Sequence, residues 1–156
     1  MLGASAAYAD GGLLRVSQTA GPFEISVFTA PTPLRVGAAD VSVLLLEHAG
    51  RAPVLDADVH VTLRLGAVTR SATATRTAAT NKLLYAALLD LPEPGTWALE
   101  VQVGGPAGAA TISTTLDVAP PLSAWITFWP YLVAPAVAIA LFAIHQRLKR
   151  NQIPPP

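Results

Sequence analysis

Metal-ligand side chains recur at every second position over Asp56, Asp58 and His60, and His48 lies eight residues before the first of them. Carboxylate and imidazole groups are donors for divalent cations, so metal chemistry, if the chain has any, belongs to these four. On a strand running from Asp56 to Leu65 (DADVHVTLRL) the three would share a face with alternate side chains ~7 Å apart. That is too far for one straight strand to close on one ion, so a second strand must add ligands. Otherwise the three are the polar face of a half-buried strand. A copper carrier is expected to offer methionine, histidine or cysteine groups, yet the chain has no cysteine and no methionine beyond Met1.

The other chemistries find less. No Gly-x-Ser-x-Gly elbow sets up a nucleophile. Gly104 to Gly108 (GGPAG) follows a strand pattern but leads into another, so no helix N-terminus is available to hold phosphate, and a hairpin loop is expected. All ten acidic residues lie at or before Asp117 beside seven basic ones, which leaves no basic field for nucleic acid. The sequence therefore reads as that of a non-enzyme with no cofactor and no evident small-molecule substrate. Without cysteine, no disulfide can staple it, and its stability must come from an apolar core.

The elements that must position these residues are strands. Asp56 to Leu65 alternates strictly, with Val59, Val61, Leu63 and Leu65 on one face. Thr96 to Val103 does the same with Trp97, Leu99, Val101 and Val103, and Trp97 is the expected main core aromatic. Leu13 to Thr19, Phe23 to Thr29, Asp40 to Glu47, Leu83 to Leu89 and Thr111 to Val118 are further strands. Val68 to Thr80 is polar, small and alternating, as a solvated edge strand is, and Arg70 and Arg76 oppose edge-to-edge pairing. Pro22, Pro31 and Pro33 confine the first strands to an edge that switches partners or ends early. In Asp40 to Glu47 both faces are apolar. Leu44 and Leu46 thus imply either a central strand or an outer face covered by another subunit. Seven or eight strands without a helical period predict an all-β, two-sheet antiparallel sandwich of immunoglobulin-like type over 10–119.

After a Pro120-Pro121 linker, Leu122 to Ile144 holds 23 residues with no charged side chain. As a helix it would be roughly 34 Å long, enough for a hydrocarbon core of ~30 Å. The expectation is a membrane-spanning helix over 122–146. Trp125, Phe128, Trp129 and Tyr131 suit the headgroup layer at one end, and Arg147, Lys149 and Arg150 begin a basic tail, 147–156, at the other. The positive-inside rule then places the tail in the cytoplasm and the sandwich outside it, periplasmic on a bacterial inner membrane. Pro130 and Pro135 would bend such a helix. The small residues Ala134 and Ala138, then Ala136 and Ala140, give two faces where another helix could approach. Residues 1–9 (MLGASAAYA) read as the end of a secretory leader whose start lies upstream, or as a short apolar N-terminus.

PTPLRVGAADVSVLLLEHAGRAPVLDADVHVTLRL, followed by LLYAALLDLPEPGTWALEVQVGG, resembles the YtkA-like and FixH-like group of exported, membrane-tethered sandwich domains. The marks are Gly37 before an apolar strand, Asp56-Ala57-x-Val59, Tyr85, and Gly95-x-Trp97, within a match over roughly Phe23 to Val118. FixH-like proteins usually carry an N-terminal anchor, whereas the span expected here is C-terminal. Some members of the group are associated with cytochrome oxidases or copper handling. The resemblance bears on the fold more than on any assembly role. The apolar alternate face at Leu44 and Leu46, the small-residue anchor and the lack of a catalytic motif predict a non-catalytic accessory subunit of a membrane complex, with the bilayer and the other subunits as partners. The resemblance suggests an electron-transfer complex, respiratory or photosynthetic, as the host. The alternative it leaves open is a tethered copper-binding or delivery domain that assists oxidase assembly.

Overall fold

The computed structural model describes residues 12–122, 131, 133, 135, 137–145 and 147, and the chain forms two compact units, Met1–Pro121 and Leu122–Pro156. Alternation builds the first. In β4 (Asp58–Leu65) Val59, Val61 and Leu63 are fully buried while Asp58, His60 and Arg64 are exposed. In β7 (Gly95–Gly105) Trp97, Leu99, Val101 and Val103 are buried. These rows meet Phe23, Ile25 and Val27 of β2 (Phe23–Ala30) and Ala39, Val41, Val43 and Leu45 of β3 (Gly37–Glu47) in one continuous core.

The remaining strands are β1 (Leu13–Ala20), β5 (Val68–Ala74), β6 (Leu84–Leu91) and β8 (Gly108–Val118). They complete two four-stranded sheets, β1-β2-β3-β6 and β5-β4-β7-β8, in which every pairing is antiparallel. The chain crosses between layers at β3–β4, β5–β6 and β6–β7. The result is an all-β, immunoglobulin-like sandwich with β1 added outside β2. No disulfide joins the layers; Trp97 fills the centre, and its indole N–H donates to the Glu93 carbonyl at 3.1 Å.

Several expected boundaries shift. The fourth strand starts at Asp58, not Asp56, because Ala57 gives its N–H to the Tyr85 hydroxyl instead of a ladder. The fifth ends at Ala74, because Thr75 changes layer and pairs with Ala86 of β6. The prolines do break the first region, but Phe23–Ala30 is an inner strand, and of the first two strands β1 alone is an edge. Gly37 and Gly95 have φ of +116° and +145°, a backbone that side chains with a Cβ rarely adopt, and a Cβ at Gly95 would also press on Leu65 at 3.3 Å.

The registers define two ends. Gly37 faces Leu91, and Gly95 faces Val118, at the end where the chain leaves the sandwich. There Leu34 is buried between the sheets, and residues 34–36 lie parallel to Ala119. Val36 donates to the Ala119 carbonyl at 3.0 Å, Ala119 to the Leu34 carbonyl at 2.9 Å, and Arg35 Nη1 to the Pro120 carbonyl at 2.8 Å. The turns at Gly21-Pro22 and Pro106-Ala107 and the loop 48–57 form the far end.

In the second unit, residues 131, 133, 135, 137–145 and 147 are helical and exposed. Among the described residues no helix is long and apolar enough to cross a membrane, so the span expected at 122–146 is not one of the described elements. Tyr131, Ala138, Ala140 and Arg147 lie in the helical stretches. Trp125, Phe128, Trp129, Pro130, Ala134, Ala136, Lys149 and Arg150, and the expected leader at 1–9, fall outside the described residues.

Candidate functional site

The four metal-ligand candidates share the far end of the sandwich without converging. Asp58 and His60 point outward from β4, where the facing residues are Gly104 for Asp58, and Thr73 and Gln102 for His60. His60 Nδ1 lies 3.2 Å from the Thr73 hydroxyl. The neighbouring strands therefore present an amide, a hydroxyl and a bare glycine, not further carboxylates or imidazoles. Asp56 is exposed in the loop before β4. His48 follows β3, in the other sheet, and its N–H donates to the Pro22 carbonyl at 2.9 Å. Among the described residues no three His, Asp or Glu side chains could hold one metal ion. What remains is an open groove of ≈ 270 Å³ lined by Asp58, His60, Gln102, Gly104 and Thr111 among others.

At a second groove of ≈ 270 Å³, lined by Leu55, Ala57, Thr75, Arg76 and Tyr85 among others, the loops are tied by hydrogen bonds that the sequence did not announce. The buried Tyr85 hydroxyl accepts from Ala57 N–H at 3.0 Å and donates to the Val54 carbonyl at 3.1 Å. Lys82 Nζ donates to the carbonyls of Arg76, Thr77 and Ala79 at 3.3, 3.2 and 2.6 Å. Arg76 donates in turn to the carbonyls of Lys82 and Leu55. These groups satisfy backbone oxygens that no ladder reaches, so they brace the far end and are spent in doing so.

The two outer faces differ in kind. The face of β5-β4-β7-β8 is polar in every row: Thr73, His60, Gln102 and Thr111 in one, Ser71, Thr62, Glu100 and Ser113 in the next. The face of β1-β2-β3-β6 is mixed: Ser17, Thr19, Glu24 and Ser26 lie on its β1-β2 side, while Leu44, Leu84, Ala86, Phe28 and Leu88 make parts of it apolar. One half is closed from within, because residues 75–83 fold over it and Ala79 packs with Leu84, Ala86 and Leu44. Leu46, beside it, is half-buried and bridges to Pro53. The apolar outer side of β3 thus has an intramolecular cover, and β3 is a central strand; no second chain is needed to explain Leu44.

The other half of that face is open. Leu14 lies opposite Phe28 and Phe28 opposite Ser42; in the adjoining row Ala30 faces Asp40 and Asp40 faces Leu88. Leu88 is 73% exposed and Leu14 50%, while Phe28 is half-buried. The sequence hid this patch because Leu84–Leu91 is apolar on both faces. The phase could have been read from Asp90, two residues beyond Leu88 and so on its side.

No family model and no curated protein matches the chain, so the likeness to the YtkA-like and FixH-like group stays a resemblance of pattern. A solved structure similar to it is the solution structure of the PKD domain from human VPS10 domain-containing receptor SorCS2. The identity is 16% and the TM-score 0.37, with 79% of this chain and 94% of that domain covered. A likeness of that size carries no residue correspondence. The chain's own strand order and pairings make it an immunoglobulin-like β-sandwich.

Proposed function

We propose that this protein is a non-catalytic accessory subunit of a larger membrane complex, held to a bacterial inner membrane by residues 122–146 with its sandwich on the periplasmic side. The observation that carries the reading is the uncharged run Leu122 to Ile144, with Trp125, Phe128, Trp129 and Tyr131 near its start and Arg147, Lys149 and Arg150 after it. Such a run is long enough to span and its flanks set its direction. The two-faced sandwich supports the accessory role, since an exposed apolar patch on one face suits a protein contact. An electron-transfer complex, respiratory or photosynthetic, is the host suggested by the resemblance to exported domains associated with cytochrome oxidases.

Two measurements test it. Carbonate washing of membranes should leave the chain in the pellet, and protease added outside spheroplasts should reach the sandwich. Purification in mild detergent should then bring down haem- or pigment-bearing subunits in fixed ratio, visible in the optical spectrum. A chain released by carbonate, or a monodisperse colourless monomer, would sink the proposal.

A further inference from the structure

We infer that the open half of the β1-β2-β3-β6 face is the contact surface, and that its occupant is a polypeptide surface in which an apolar socket for Leu88 is flanked by lysine or arginine. This deepens the accessory-subunit reading and rests on it. Leu88 has two exposed carboxylates beside it: Asp40 lies directly opposite on β3, and Asp90 is two residues along the same strand. Diagonal neighbours on paired strands are roughly 7–8 Å apart, so one partner surface can meet both acids while seating the leucine.

Among the described residues nothing neutralises that pair, and Asp40 Oδ1 accepts only from the uncharged Ser42 hydroxyl, at 3.2 Å. Arg15 is turned to Thr29, Arg51 to Glu24 toward the far end, and Arg35 to the Pro120 carbonyl. Among the described residues no ion pair reaches Asp40 or Asp90. The sign of the charge then chooses the occupant. A second copy docked on the same face would set carboxylate against carboxylate, a like-charge juxtaposition that disfavours association. An anionic lipid surface is repelled for the same reason. A basic rim around an apolar socket meets both features.

The test uses the full chain in its native membrane, with a benzophenone-bearing amino acid at position 88 and, as control, at position 113 on the polar face. The expected result is a heterologous adduct from position 88 and not from 113, with lysine or arginine flanking apolar residues in the cross-linked peptide. Asp40→Lys with Asp90→Lys should lower its yield about tenfold or more, as unfavourable rim charges do. Asp40→Asn with Asp90→Asn should fall between, with protease resistance unchanged. An adduct between two copies, an adduct only to lipid, a peptide without basic residues, or a yield indifferent to the charge reversal would each overturn the inference. If a subunit co-purifies equally well with native chain and charge-reversed variant, this surface fails and the accessory reading survives. If nothing co-purifies with the native chain and position 88 gives no adduct, both fail.

Discussion

Tyr85 shows what a single hydroxyl does in a cysteine-free sandwich. Its ring packs in the core while its oxygen serves both the N–H of Ala57 and the carbonyl of Val54, so the loop between β3 and β4 is fastened to β6 across the layers. Tyr85→Phe keeps the ring and leaves two backbone groups without partners, at about 1–3 kcal/mol for an unsatisfied buried group. Denaturant unfolding should show a midpoint lowered accordingly with an unchanged slope. Leu88 predicts the opposite, since it lies outside the core. Leu88→Thr, which adds no charge beside Asp40 and Asp90, should leave stability within about 0.5 kcal/mol of the parent, by the same unfolding measurement, while weakening any partner seated there. His48 and His60 mark the limit of legibility at this scale. Twelve positions separate them in the sequence, but the crossing from β3 to β4 puts them in different sheets, and spacing alone carries no record of that crossing.

At the scale of elements, legibility followed the strictness of alternation. β4 and β7 have polar residues at almost every second position, so their buried rows could be read directly. β6 has apolar residues on both sides, so only Asp90, near its end, separates its inward row of Tyr85, Ala87, Leu89 and Leu91 from its outward row. Residues 75–80 continue the polar, small character of β5, so its end is not visible in the sequence. What ends it is a tertiary event, the bridge from Thr75 to Ala86 and the ring of carbonyls around the Lys82 ammonium. Lys82→Met would remove the ammonium and keep much of the stem. Limited proteolysis with trypsin should then cut after Arg76 faster than in the parent, with the remaining strands still resistant. Equal cutting rates would mean that the packing of Ala79 on Leu84 and Ala86 holds the loop without the lysine.

For the whole molecule, the unlike outer faces matter more than any one residue. A sandwich with one polar wall and one mixed wall carrying exposed leucines has a preferred side, which a partner of the proposed kind could use to fix its orientation. The exit end adds a property of another kind. Residues 34–36 lead into β3 of one sheet, yet they hold Ala119 at the end of β8 in the other, and Arg35 reaches on to Pro120. A pull on the chain beyond Pro121 therefore meets both sheets at once, and the edge strand is not left to peel from its single neighbour. Seen mechanically, the stitch is a strain relief, like the clamp that keeps tension on a cable from reaching its solder joint. Arg35→Ala should lower the rupture force of the sandwich pulled from its C-terminal side in an optical trap, while its unfolding in denaturant changes little. Pulled from that end, the sandwich would stay folded at forces that unzip one whose last strand ends free.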